Sequence, residues 1–453
     1  MRLLYLAVMV LAGCTPRERS IAAAQGEPAR LDASVARGRP RDEAPATTRA
    51  TYASVGDVLP HLMVKAAARA RARRDEAGSD QNREGYDDVF ASLAGFFDRY
   101  DVASFNMESP VVDEPLLPPM RMRFFADPSI PRALAGVGFD VAVCSNNHAF
   151  DQGGEGMVES HRHLAESGLR TAGCGPSLDA ASEPVIVDAN GIRIAILSFT
   201  RVMNANNPRR REHPEWPQAL FWYDEAPVGR EVLAAIARVR SRPDVDIVVV
   251  NAHWDREYVP TPLGITRELA ATLVDAGVDL IVGHHPHILE PAEWMTGPHG
   301  RKAAVIYSLG NFVSEMCANR NPMDLCDRRL SAVAIATFAK TDGRAELESL
   351  RFEPAYMDHR AGCPGETDPP TRCVRPVVVS VELGRLDRAI AAQGDDEDEA
   401  LVRERDGYRL RDRVIRAFMG PHARGASPTT PYVDVDAAIV SRSRHGPRRP
   451  FRD

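Results

Sequence analysis

The sequence predicts an α/β domain built on a largely buried, mixed β-sheet. Two observations carry this. Short β-rich runs alternate with helical stretches from residue 50 onward, the pattern of strands joined by crossover helices. Within Pro184–Ile194, Asp188-Ala-Asn-Gly191 separates two β-rich runs, a hairpin signal that makes one pairing antiparallel.

The β-rich runs are Tyr52–Val55, Val102–Phe105, Val141–Cys144, Arg193–Phe199, Ile247–Val250, Leu280–Val282, Ala304–Tyr307 and Ala332–Thr337. Helical patterns cover Val58–Arg74, Tyr86–Arg99, Ile130–Val137, Gly154–Ser167, Arg230–Arg240 and Ile265–Ala276. Residues 203–218 and 355–376 are polar and read as inserted loops. Four segments are expected: 1–14, 15–49, 50–383 as the main domain, and 384–453 as a helical, charged C-terminal extension. The extension holds an acidic run, Asp395-Asp-Glu-Asp-Glu399, and a basic tail. Such charge runs are usually solvated, so no chemistry is assigned to them.

Composition narrows the function classes. Of 453 residues, 44% are hydrophobic and 26% charged, enough to bury a core. Aromatics make up 6%, and 56 basic against 63 acidic residues give a net charge of -7. Neither a stacking platform nor a basic footprint for nucleic acid is present at this level, and no nucleic-acid partner is expected.

Met1-Arg2 precedes an apolar run, Leu3 to Ala12, well short of the ~20 residues that span a bilayer. The run ends in Leu11-Ala12-Gly13-Cys14, which resembles a bacterial lipobox. That resemblance implies a signal peptide, lipidation of Cys14 and an exported, membrane-anchored lipoprotein, periplasmic or at the cell surface. Residues 15–49 lack an apolar period and read as a flexible tether. Of the remaining cysteines, Cys317 with Cys326 and Cys363 with Cys373 are the expected disulfides, since each pair lies close in a polar loop. Cys144 and Cys174 end apparent core strands and read as buried thiols. No Cys-x-x-Cys occurs, so a zinc knuckle is not expected.

Chemistry-bearing residues fall at regular places. Gly56-Asp57, Asn106-Met-Glu108, Asn146-Asn147-His148 with Asp151, His253, and His284-His285-Pro-His287 each follow a β-rich run. Ligands of open α/β sheets bind at that edge. Taken singly, each cluster has a structural explanation: a turn, a surface acid, a helix cap or a packed histidine. Five in succession are hard to explain as core packing. Carboxylates, an amide oxygen and several imidazoles form a ligand set for divalent cations such as Mn, Fe, Zn or Mg. Two such ions sharing a carboxylate can activate water and clamp a phosphoryl group. An extended segment would point His285 and His287 the same way. His61, His161, His163, His213, His299 and His359 lack such context and read as structural or exposed.

These motifs, together with Glu257 after His253-Trp254 and Tyr307-Ser-Leu-Gly-Asn311-Phe, resemble the CapA-type poly-γ-glutamate capsule-synthesis family across residues 52–340. The family is similar to calcineurin-like metallophosphatases, which implies a four-layer α-β-β-α sandwich. By motif, the resemblance gives one metal to Asp57, a bridging place to Glu108, and a second metal to Asn147 and His253. His285 and His287 take one metal each. His148 becomes the general acid, with Asp151 orienting it or capping a helix. Asn106, Asn146, Glu257, His284 and Asn311 stand behind the metals or face substrate. Three positions depart from the metallophosphatase or capsule-family pattern: Leu59 stands where a histidine is usual, Glu108 where an aspartate is, and Asp255 where the capsule family has glycine. Asp255 is expected to add negative charge near the metals. The resemblance implies synthesis, export or anchoring of an anionic polymer, within a capsule-synthesis membrane complex. A metal-dependent phosphoester or amide hydrolase without a capsule role, and a non-catalytic polyanion-binding lipoprotein, are the alternatives.

Overall fold

The computed structural model describes residues 47–75, 85–204, 229–317, 326–360, 373–393 and 398–419. Cys14, the segment up to residue 46, the stretch 205–228 with His213, Cys363 and the tail from residue 420 lie outside them.

Among the described residues, fourteen strands form two mixed sheets. In the first, β1 (Thr48–Val58), β2 (Val102–Met107), β3 (Val141–Val143) and β4 (Arg170–Ala172) run parallel. On the other side of β1 come β12 (Leu330–Thr341), β13 (Arg344–Arg360) and β14 (Cys373–Val378), all antiparallel. The short β11 (Asn311–Val313) pairs parallel with the end of β1. The second sheet runs β5 (Val185–Ala189), β6 (Ile192–Thr200), β7 (Ile247–His253), β8 (Leu280–His284), β10 (Lys302–Leu309), β9 (Leu289–Thr296). Its four central strands are parallel and its edges antiparallel.

Three apolar clusters define four layers. Tyr52, Ile194, Val249, Val282, Ile306 and Phe352 lie in the core that the two sheets share. The outer face of the first sheet is covered by α1 (Leu62–Asp75), α2 (Tyr86–Phe90) and α3 (Ser129–Gly136). The outer face of the second is covered by α6 (Arg230–Arg240) and α7 (Gly264–Asp275). Helices α4 (Gly153–Glu166) and α5 (Leu178–Ser182) connect β3 to β4 and β4 to β5. The α-β-β-α sandwich therefore stands. Each helix buries the stripe that its apolar period supplies, as Val232, Ala235, Ile236 and Val239 do in α6.

The hairpin expected at Asp188–Gly191 joins β5 to β6. Asn190 and Gly191 both carry positive φ, 55° and 78°, the two-residue turn that Asn-Gly favours.

Several expectations are corrected. The helix expected over Tyr86–Arg99 is one turn, α2, followed by two short 3-10 turns. It breaks where Gly95 takes φ 69°, a conformation that ends a right-handed helix. The loop expected at 355–376 contains the end of β13 and the start of β14. β13 escaped notice because its apolar residues, Ala345, Leu347, Leu350 and Phe352, alternate with charged ones on the open face. The boundary expected at residue 383 falls inside α8 (Val379–Ala391). With α9 (Glu399–Met419), α8 sends Leu386, Tyr408, Ile415 and Met419 into the inter-sheet core.

The sulfurs of Cys317 and Cys326 are bonded as expected, but Cys144 and Cys174 are also bonded, so they are not free buried thiols. The reason is the pairing of β3 with β4: Cys144 N donates to Ala172 O, and the two cysteine Cα atoms stand 5.6 Å apart, a separation a disulfide spans.

Candidate metal centre

Parallel strands from both sheets end at one rim, and the candidate residues collect there. Asp57 is the penultimate residue of β1, and Glu108 follows β2. Asn147 and His148 follow β3, His253 ends β7, and His285 and His287 follow β8. Two glycines permit the approach. A Cβ on Gly56 would stand 1.9 Å from Gly310 O, and one on Gly283 would stand 1.9 Å from Tyr307 O. Only residues without side chains let β1 meet the β10–β11 turn and bring the histidine segment against β10.

The six expected ligands converge in the interior. His253 Nε2 lies 2.8 Å from Asn147 Oδ1 and 3.5 Å from Glu108 Oε1. His287 Nε2 lies 3.7 Å from the same Glu108 oxygen, and its Nδ1 is 3.3 Å from Asp57 Oδ2. Ligand atoms of Asp57, Glu108 and His287 fall within 4.8 Å of one another; so do those of Glu108, His253 and His285, and those of Glu257, His285 and His287. Glu108 belongs to two of these groups, and Glu257 stands close enough to offer an oxygen itself. Both His285 and His287 have positive φ, 96° and 57°. The segment is thus not extended. A strained backbone of the kind found at functional sites, not strand alternation, brings these two rings to one pocket.

The surrounding groups position these. Asn106 Nδ2 donates to Asp57 Oδ1 at 2.8 Å, and Asn146 Nδ2 donates to Met107 O at 2.8 Å. His284 Nδ1 is 3.2 Å from Asp57 Oδ1, with its Nε2 3.3 Å from Asn251 Oδ1. His287 Nδ1 donates to Asn311 Oδ1 at 3.0 Å. His148 Nδ1 donates to Asp151 Oδ2 at 2.6 Å. Asp151 does not cap α4, whose preceding residue is Gln152; its Oδ2 also accepts from Phe124 N.

Electrostatics separate the roles. Burial by itself would raise Asp57, but hydrogen bonds from His284 and His287 hold its carboxyl well below the usual range. Burial, then the neighbouring charges of Asp57, Glu257 and Asp151, push Glu108 well above its usual range. Burial and the neighbouring His285 keep His253 unprotonated, and burial with His287 takes His285 down to about 3. Neutral imidazoles present lone pairs to a cation without first losing a proton. Neither Glu108 oxygen has a hydrogen-bond partner among the described residues, nor does His285 Nδ1, although all three atoms are buried. Orphaned buried acceptors are costly unless something binds them. Acceptor-only groups aimed at one another fit a divalent cation.

Some neighbours were not among the expected site residues. Asn204, in the segment read as an inserted loop, accepts from Asn147 Nδ2 at 3.1 Å, and its own amide nitrogen lies 3.1 Å from His148 Nδ1. The Phe124 ring lies 4.6 Å from that of His148 and 5.0 Å from that of His61. His61, read as structural or exposed, therefore borders the site. Leu59 is buried, and its N–H donates to Val313 O. Asp255 accepts from Arg256 N and Leu263 N, closing its own loop at φ 69°.

The fold is a two-sheet α/β sandwich of the metallophosphatase-like kind, with imidazoles and carboxylates gathered at its strand ends. More narrowly, the model of the family described as bacterial capsule synthesis protein PGA_cap matches residues 51–316, and the chain belongs to that family. It is 32% identical over 234 residues to the PGA biosynthesis protein CapA of Bacillus subtilis, covering 51% of this chain and 58% of that protein. It is 31% identical over 238 residues to the capsule biosynthesis protein CapA of Bacillus anthracis, covering 51% and 55%. The chain thus spans little more than half the length of these relatives. Among solved structures, the calcineurin-like phosphoesterase YfkN of Bacillus subtilis aligns over 82% of this chain and 99% of that one, at 10% identity and TM-score 0.38. A likeness that distant leaves the sheets themselves to define the fold.

Proposed function

We propose that the protein acts on an anionic cell-envelope polymer of the poly-γ-glutamate kind, cleaving a phosphoester or γ-glutamyl amide bond during its synthesis, export or anchoring. The observation that carries this is Glu108, a buried carboxylate lacking hydrogen-bond partners between two histidine groups. Asp57, Glu108 and His287 would hold one divalent ion; Glu108, Asn147, His253 and His285 would hold a second. Bound ions of this kind supply Lewis acidity and an activated water. The chain's own residues do the rest. Asp57 remains ionised, Asn106 and Asn311 fix the orientation of Asp57 and His287, and Asp151 holds His148 with its Nε2 available to carry a proton to a leaving group. That oriented imidazole favours a reaction over binding alone, since an ion-binding pocket needs no such pair.

The N-terminal Leu11-Ala12-Gly13-Cys14 supports the further proposal that the protein is exported and held on a membrane through Cys14. Cys14→Ser should then move it from the membrane to the soluble fraction; retention on the membrane would overturn this.

The test is metal analysis of the purified protein alongside assays on generic phosphoesters and on γ-linked polyglutamate. We expect up to two divalent ions per chain and metal-dependent release of phosphate or shortening of the polymer. A protein that binds no metal, or one that binds metal and turns over neither substrate, would refute the reading.

A further inference from the structure

We propose that Arg328 receives an oxyanion of the substrate at the rim of the metal centre, either a carboxylate of a γ-linked glutamate chain or a phosphoryl oxygen. The inference rests on the reading just given, because it presumes that an anionic substrate reaches this pocket.

Arg328 lies in the short turn Asp327–Arg329, between the Cys317–Cys326 disulfide and β12. Its backbone is tied to the site through one side chain. Asn311 Nδ2 donates to Arg328 O at 3.1 Å and to His287 O at 3.1 Å, while Asn311 Oδ1 accepts from His287 Nδ1. The guanidinium carbon stands 4.0 Å from the centroid of the Tyr258 ring, and that ring is 6.0 Å from the ring of His287. Tyr258 is itself anchored to the histidine segment, its N–H donating to Pro286 O at 2.9 Å. Guanidinium, phenol ring and imidazole thus form a row leading to the metal groups.

Arginines such as Arg375, which meets Glu382 at 2.9 Å, and Arg416, which meets Asp412 at 3.0 Å, have a carboxylate partner. Among the described residues, the Arg328 guanidinium has no ion pair and no hydrogen bond. It is half-buried and stacks on the ring face. A guanidinium carries five N–H donors in a planar fork that matches carboxylate and phosphate oxygens in pairs. Stacking on an aromatic face fixes the plane of that fork while leaving its edge free. Asp57, Glu108 and Glu257 line the metal groups, and the guanidinium adds a positive group beside them.

The test compares binding of two probes, a γ-linked glutamate oligomer and inorganic phosphate, to the full chain and to Arg328→Gln, Arg328→Lys, Tyr258→Phe and Tyr258→Leu, with metal content measured for each. Loss of one charge-assisted pair should weaken binding about tenfold or more in Arg328→Gln, with metal content unchanged. Arg328→Lys should recover part of it, Tyr258→Phe should bind as the parent does, and Tyr258→Leu should fall towards Arg328→Gln. Equal binding by the parent and Arg328→Gln overturns the inference while leaving the metal-centre reading intact. Binding of phosphate but not the oligomer, lost in Arg328→Gln, keeps Arg328 in its role and removes the polymer as substrate. Failure of the metal-loaded parent to bind either probe overturns the inference.

Discussion

His148 Nδ1 lies 2.6 Å from Asp151 Oδ2, and both side chains are 2% exposed. The contact fixes which ring nitrogen carries a proton and leaves the other to face the pocket. Asp151→Asn should therefore lower turnover by roughly 10²–10⁴-fold while keeping metal, since an amide favours the wrong tautomer. His148→Ala should behave likewise, whereas His285→Ala should lose metal. Normal turnover in His148→Ala would remove it from the reaction.

Glu108 gives a prediction of opposite signs with and without metal. Its carboxyl is held well above its usual range by burial and by Asp57, so the metal-free fold loses stability as pH rises above the ordinary glutamate value. Glu108→Gln should raise the stability of the chelated protein at neutral pH by about 1–3 kcal/mol. The same substitution should abolish most of the increase in Tm that added divalent metal gives the parent. Calorimetry with and without chelator reads both effects; an undiminished metal response in Glu108→Gln would exclude a shared ligand.

The Cys144–Cys174 bond closes a segment of sequence separation 30. Replacing both cysteines with alanine should cost about 2–4 kcal/mol in denaturant unfolding. Thiol titration of the unfolded, unreduced parent should find neither cysteine free.

Glu290 supplies a pH test away from the metal ligands. Both its oxygens are buried with no hydrogen-bond partner among the described residues. Burial, and then the charge of Asp255, push its carboxyl up to about 9 from 4.5. The fold therefore favours the protonated acid: its contribution is fully present below pH 4.5 and is lost as pH rises towards 9. Glu290→Gln should be more stable than the parent at pH 8, by about 1–3 kcal/mol, with the difference vanishing near pH 4. An equal difference at both pH values would show that the carboxyl is solvated or paired.

Much of the candidate site could be read in the chain itself because ligand chemistry is local. Asp57, Asn147, His253 and the Gly283–His287 segment each sit at the end of a run whose β character is plain. What escaped was set by non-local contact. Nothing in residues 201–204 marks Asn204 as a neighbour of His148. Arg328 gains its place only when β11 lies beside β1. The His285–His287 geometry comes from a left-handed backbone that neither spacing nor residue type announces.

By itself the sequence determined the alternation of strands and helices, the hairpin at Asn190-Gly191 and the identity of the clustered imidazoles and carboxylates, because periodicity and turn chemistry act over a few residues. The tertiary structure alone decided that Cys144 meets Cys174, that His285 and His287 share one pocket through a left-handed backbone, and that α9 closes the space between the sheets. Those relationships arise from the pairing of strands far apart in the chain, where burial fixes register and strands from both sheets share one rim.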